Sequence, residues 1–238
     1  MTELVYRSEP YRKELEASVV ESTPRGGIVL DRTIFFATGG GQPGDSGRIE
    51  WENGTAKVVN AVKAGDKGVE LVLAAGEAVP PDGAEIRQAL DWDRRYRHMR
   101  MHTALHLLSV VIPLAVTGGS IGSEKSRLDF NMPDPPSDKA ALESELNALI
   151  SRDLSVEENW ITDDELAANP GLVKTMSVMP PSDSGRVRLI RISGNGEQID
   201  LQPCGGTHVA RTGEIGAVRF GKIENKGRQN RRVNLLLA

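Results

Sequence analysis

The chain has 238 residues, 39% of them hydrophobic and 26% charged, with a net charge of −4. That length allows one large core or two modest ones, and the balance excludes a disordered, collagen-like or coiled-coil chain. The longest nearly apolar run, residues 101–116, contains two histidines and a proline and falls short of the ~20 residues a membrane span needs.

No apolar stretch of signal-peptide length follows Met1, so a cytoplasmic protein is expected. The single cysteine, Cys204, forbids an intrachain disulfide and suits a reducing compartment.

The first ninety residues read as β structure. Short β-rich segments at 17–21, 27–37, 48–52, 55–63, 69–74 and 84–91 are separated by Gly, Pro and Asn-Gly signals at the spacing of a small barrel or sandwich. Asn53-Gly54 predicts a hairpin with a type I′ turn, since both residues tolerate positive φ. A domain boundary is expected near Asp91, dividing the chain into 1–91 and 92–238.

From about Arg95 the period becomes helical. His98, Met101/His102, Leu105/His106, Leu108/Ser109 and Ile112 recur at three and four, and Pro113 with Gly118-Gly119 ends the helix. Pro133 to Asp138 reads as a loop with Ser137 as N-cap of a helix over 139–153. Thr162-x-x-Glu165 has the form of a capping box, opening a short helix that stops at Asn169-Pro170. Alternation over 186–192, then 197–201, 217–223 and 232–237, reads as an antiparallel sheet. The later part of the chain is therefore α+β.

Charge is uneven. Segments 94–100 and 219–232 hold ten of the 29 basic residues and one of the 33 acidic ones, so they carry +9 while the rest carries −13. Such asymmetry fits a polyanion footprint on an acidic protein, and equally two solvated faces.

His102-Thr103-Ala104-Leu105-His106 places two imidazoles on one helix face, able to reach a single point. Cys204-Gly205-Gly206-Thr207-His208 offers a thiolate and a third imidazole across a glycine-rich turn. Three nitrogens and one sulfur suit tetrahedral zinc. The set uses the one cysteine and three of four histidines. The competing reading is a buried thiol with satisfied histidines, and His98, one turn back, is a rival ligand. A zinc peptidase is excluded by Thr103, which stands where such helices carry glutamate.

Gly39-Gly40-Gly41-Gln42-Pro43-Gly44-Asp45-Ser46-Gly47 mimics a dinucleotide fingerprint and a phosphate loop. Both fail. Pro43, Gly44 and Gly47 lead into a hairpin rather than a helix, and Asp45 stands where the phosphate loop needs lysine. What remains is a tight loop whose backbone can approach a ligand, or a barrel turn without one.

Taken with Arg127-Leu128-Asp129-Phe130, Thr212-Gly213-Glu214-Ile215-Gly216 and the tail from Lys226-Gly227 to Arg232, these motifs resemble the alanyl-tRNA synthetase editing domain and its free-standing relatives, the AlaX family, in its medium-length type. The motifs stand in the family's order over about residues 30–236. The resemblance implies an N-terminal β-barrel domain carrying the glycine motif, followed by a zinc-binding α+β editing domain. It implies a cytoplasmic, trans-acting deacylase of seryl-tRNA(Ala), with glycyl-tRNA(Ala) as a second substrate. Zinc is expected on His102, His106, Cys204 and His208, with His208 as the exchangeable ligand and water, activated by the metal or the terminal ribose, attacking the ester. No catalytic proton-transfer group is identified. Substrate contacts are expected at Gly40, Gly41, Gln42, Gly205, Gly206 and Thr207. The family's hydroxyl-bearing position falls on Ser123, or on Ser120, in a loop that lacks the glutamine of many synthetase members. Arg94, Arg95, Arg97, Lys226, Arg228, Arg231 and Arg232 are expected on the tRNA acceptor stem, and no membrane or obligate protein partner is indicated. The alternatives are a zinc-stabilised RNA-binding module without catalysis and a general zinc esterase.

Overall fold

The computed structural model describes residues 2–65, 68–174, 182–183 and 185–238. The chain forms two compact units, Met1–Tyr96 and Arg97–Ala238. Among the described residues no helix is long and apolar enough to cross a membrane.

The first unit contains β1 (Glu3–Leu4), α1 (Val5–Ser8), β2 (Glu14–Ser22), β3 (Ile28–Leu30), β4 (Arg32–Thr33), β5 (Gly47–Trp51), β6 (Gly54–Lys63), β7 (Val69–Leu73) and β8 (Glu85–Leu90). Strands β2, β3, β7, β6, β5 and β8 close in that order into an antiparallel barrel. Closure leaves no unpaired edge. Alternate residues such as Leu15, Ala17 and Val19 on β2, or Ala56 and Val58 on β6, point into its core.

Two local expectations are corrected here. Segment 27–37 is not one strand: it breaks into β3 and β4 and continues as buried, irregular backbone. The reason is side-chain competition for the ladder. Asp45 accepts from Phe36 N–H at 2.6 Å, and Arg95 donates to Ile34 O at 2.6 Å. The β5–β6 hairpin exists, but Trp51 pairs with Gly54, so its turn is Glu52-Asn53 and Asn53 has no positive φ. Gly54 is needed for close approach instead, since a Cβ there would lie 2.6 Å from the Trp51 ring. Turns with two positive φ values occur at Gly40 (57°) and Gly41 (81°), where Gly39 and Gln42 exchange 3.0 Å backbone hydrogen bonds, and at Asn195 (53°) and Gly196 (79°).

After the barrel come α2 (Trp92–Val111), β9 (Val116–Ser120), β10 (Lys125–Asn131), α3 (Lys139–Ser151), β11 (Ser155–Thr162), α4 (Asp163–Ala168), β12 (Ser182–Asp183), β13 (Arg186–Gly194), β14 (Glu197–Pro203), β15 (Val218–Asn225) and β16 (Asn230–Leu237). One antiparallel sheet runs β15-β16-β10-β9; in the other, β13 pairs with β11, β12 and β14. The molecule is α+β, as the sequence indicates. Strands β9, β10 and β11 were not foreseen, because Gly118-Gly119 reads as a helix stop and β11 does not alternate. The cap of α3 is Asp138 rather than Ser137, its carboxylate accepting from Ala141 N–H. The capping box on Thr162 and Glu165 forms as the spacing predicts.

Candidate metal centre

Helix α2 places His102 above His106 by one turn, with ring centroids 5.4 Å apart, and both are buried. Strand β14 ends at Pro203 and delivers Cys204 into the glycine turn that carries His208. One ligating atom from each of His102, His106, Cys204 and His208 lies within 4.8 Å of the others. Cys204 Sγ is 3.4 Å from His102 Nε2 and 3.2 Å from His208 Nε2. Around a tetrahedral ion, metal–N distances of about 2.0–2.1 Å and metal–S of about 2.3 Å put neighbouring donors roughly 3.3–3.6 Å apart. The four residues fit a metal ion. His98, the rival on the same helix, is buried but is not one of the four.

Neighbouring groups fix which nitrogen each ring presents. His106 Nδ1 donates to Asp200 Oδ2 at 3.0 Å, so Nε2 is left for the site. Lys174 Nζ holds the other carboxylate oxygen at 2.6 Å, and Gln202 Nε2 donates to Asp200 Oδ2 at 2.8 Å. Thr103 Oγ1 donates to Met99 O at 2.9 Å, so towards His208 Nδ1, 3.2 Å away, it can act only as acceptor. That sets the His208 tautomer with Nε2 facing Cys204. Such outer partners orient metal-ligating histidines and raise their basicity.

The electrostatics agree with a ligand set. Burial alone raises the Cys204 thiol, but the imidazoles of His102 and His208 outweigh it and hold the thiol well below its usual range. His208 is driven down to about 3 by burial and by His102. Burial also opposes charge on His106, yet the hydrogen bond to Asp200 and the adjacent Cys204 sulfur carry it up to about 9. Asp200, against its burial, is held down to about 2 by His106 and Lys174. A cation entering the site would displace the Nε2 proton of the charged His106 ring and leave the one at Nδ1, which is donated to Asp200.

Asp200, Thr103 and Lys174 were missed by sequence reasoning. Asp200 had a signal: Asp200, Gln202 and Cys204 are spaced two apart, and a strand continued past the predicted 197–201 would put all three on one face.

Other expected site residues are distributed as follows. Gly205 is half-buried, while Gly206 and Thr207 are buried in the ligand turn. Ser123 is half-buried in the bend between β9 and β10, and Ser120 is exposed at the end of β9. Gly40 and Gly41 are exposed at a loop tip, but Gln42 is 1% exposed, which removes its side chain from the candidate substrate contacts. Arg95 is 0% exposed: Nε donates to both oxygens of Asp45 at 3.0 and 2.9 Å, Nη2 pairs with the same carboxylate, and Nη1 donates to Pro10 O. It braces the base of the glycine loop and is not available to a phosphate. Arg94 donates to Gly44 O at 2.6 Å. Arg232 lies opposite Asp129 in the β10–β16 ladder and donates to it at 2.9 and 3.0 Å, with Arg127 donating at 2.6 Å. Arg231 Nη1 donates to Asn225 Oδ1, Gly227 O and Asn230 O, and Nη2 to Pro133 O. Arg97, Lys226 and Arg228 are exposed. Two of the ten positive charges in these segments, those of Arg95 and Arg232, are therefore neutralised by carboxylates from elsewhere in the chain.

Residues 187–234 match the threonyl and alanyl tRNA synthetase second additional domain, and residues 8–94 match the class II (A) tRNA synthetases. The alanyl-tRNA editing protein AlaX-M of Methanosarcina acetivorans is 37% identical over 247 residues, covering 100% of this chain and 99% of that protein. AlaX-M of Saccharolobus solfataricus is 34% identical, over 98% of both chains. The alanine–tRNA ligase of Pyrobaculum aerophilum is 35% identical over 94% of this chain but only 25% of its own length. With more than a third of positions shared along the whole of a free-standing relative, this chain belongs to the AlaX family.

Proposed function

We propose that the chain is a trans-acting, zinc-dependent deacylase that hydrolyses the ester of seryl-tRNA(Ala), with glycyl-tRNA(Ala) as a second substrate. The observation that carries this reading is the convergence of His102, His106, Cys204 and His208 on one point. The relatives named as alanyl-tRNA editing proteins support it.

The chemistry gives such an activity a purpose. A pocket shaped for alanine rejects serine by only ~10²-fold, and glycine is smaller still. A second site that hydrogen-bonds the serine hydroxyl can spare alanyl-tRNA by ~10⁴-fold or more. Three nitrogens and a thiolate suit zinc, a borderline-soft ion. Bound there, zinc supplies Lewis acidity to an ester carbonyl, provided one ligand position opens or expands. Asp200 holds the His106 proton at Nδ1 and Thr103 holds that of His208, so both rings keep their Nε2 lone pairs towards the site. Ser123 and the half-buried Gly205 are the proposed substrate contacts of the second unit and the Gly40-Gly41 tip that of the first; Gly206 and Thr207 are buried as Gln42 is. Arg97, Lys226 and Arg228 are the proposed phosphate contacts. A lone cysteine serving as ligand accords with the reducing cytoplasm.

The test is to incubate the purified chain with seryl-tRNA(Ala), glycyl-tRNA(Ala), alanyl-tRNA(Ala) and a small seryl ester, with and without chelator. Chelator-sensitive loss of serine, with alanine retained, is expected. RNA binding without ester loss would instead identify a zinc-stabilised binding module, and equal turnover of the small ester a general esterase. Cys204→Ala and His102→Ala should lose zinc and hydrolysis together.

A further inference from the structure

Arg188 stands on β13 between the buried residues Val187 and Leu189, and is itself buried. A guanidinium among aliphatic neighbours destabilises the fold unless fully paired. Its bonds tie one strand residue of β11 to one turn. Nε forms an ion pair with Glu158 of β11. Nη1 donates to Cys204 O at 3.0 Å and to Gly206 O at 2.8 Å. The main-chain oxygen of Arg188 accepts from Cys204 N–H at 3.1 Å. One residue therefore holds three backbone groups of the turn that carries two of the four metal donors.

That turn is hard to hold otherwise. Two adjacent glycines lose more backbone freedom on ordering than other residues do, yet metal donors must sit within about 0.2 Å of their places. Both peptide planes whose oxygens face Arg188 are trans, which directs the N–H groups of Gly205 and Thr207 away from the guanidinium. The intervening N–H of Gly206 donates to Cys204 Sγ at 3.4 Å. The clamp thereby also sets the direction of the sulfur.

We propose that Arg188 is a positioning residue: its guanidinium fixes the Cys204–Gly206 backbone so that Cys204 and His208 meet His102 and His106 at one ion. This rests on the zinc-dependent reading above. Lysine is not a substitute, because a single ammonium lacks the planar fork that serves Glu158 and two carbonyls together.

The test compares the full chain with Arg188→Lys and Arg188→Met. Zinc affinity is measured by competition with a chromophoric chelator, the visible spectrum is recorded with cobalt, and thermal unfolding is followed in metal-free samples. Zinc affinity should fall about 10–100-fold in both variants, with shifted cobalt bands, while metal-free Arg188→Lys unfolds close to the unaltered chain. Unchanged affinity and unchanged bands overturn the proposal. Loss of the fold in both variants also overturns it, since Arg188 would then serve the sheet rather than the site. Absence of metal binding by the unaltered chain would be seen before any variant is made, and would sink the zinc-dependent reading itself.

Discussion

Thr103 Oγ1 and His208 Nδ1, 105 residues apart in sequence, lie 3.2 Å apart. The hydroxyl proton is committed to Met99 O, so the oxygen accepts from the imidazole and also from Val209 N–H at 3.3 Å. A zinc peptidase would have a glutamate at this helix position to move protons. Here the residue faces an imidazole supplied by a distant turn.

Thr103→Val keeps the β-branched shape and removes that acceptor. Two buried N–H groups lose their partner, at about 1–3 kcal/mol for an unsatisfied group. Zinc affinity should drop about 10–100-fold, and Thr103→Ser should restore most of it. Chelator competition on the three proteins decides: equal affinities would mean that the hydroxyl does not orient His208.

Asp200 makes the corresponding contact with His106, and Lys174 and Gln202 hold its carboxylate in place. Asp200→Ala should weaken zinc binding about 10–100-fold, because the ring loses the bond that fixes its tautomer. Lys174→Met should have a smaller effect in the same direction, since Asp200 keeps Gln202 and His106. Calorimetric titration with zinc measures both. A larger loss from Lys174→Met than from Asp200→Ala would reverse the assigned order of action.

The two halves of the site were legible for different reasons. His102 and His106 follow from helical period alone, and Cys204 and His208 from the scarcity of their residue types. Thr103 was visible but its role was not, because the histidine it serves arrives only through the β13–β14 sheet. Asp200 could have been found from the period-two spacing to Cys204. Charge misled: Arg95 and Arg232 belong to basic runs, but the carboxylates that neutralise them, Asp45 and Asp129, stand far away in sequence. Turn chemistry misled at Asn53-Gly54, where the indole of Trp51 rather than backbone φ demands glycine. Strand spacing left barrel and sandwich open, since short alternating strands with frequent turns serve both, and only the family resemblance pointed to the barrel.

Asp129 gives the β10–β16 ladder an acid-sensitive contact. Burial opposes its charge, but Arg232 and Arg127 outweigh that and hold it below the usual 3.8. A carboxylate lowered in the fold contributes stability that is present above 3.8 and lost as pH falls through the folded value. Asp129→Asn should therefore lower the unfolding temperature at pH 7 and flatten its decline below about pH 4. The loss at pH 7 should be less than the about 3–5 kcal/mol of a fully buried pair, because Asp129 is partly accessible. Parallel melting curves against pH for both proteins would show that the triad carries no acid-linked stability.

The proposed phosphate footprint separates residues that look alike in the sequence. Arg97, Lys226 and Arg228 are exposed, so their alanine variants should raise KM for seryl-tRNA(Ala), and each should reduce the slope of log affinity against log salt by about one. kcat at saturation should change little. Arg95→Ala should behave in the opposite way. It leaves the Asp45 carboxylate buried and unpaired, at about 3–5 kcal/mol, so the barrel should melt earlier while the salt slope stays that of the unaltered chain. Stopped-time deacylation at several salt concentrations, beside thermal melts of the same samples, tests both halves. A salt slope altered by Arg95→Ala, or left unaltered by all three exposed variants, would mean that the acceptor stem lies against a different surface.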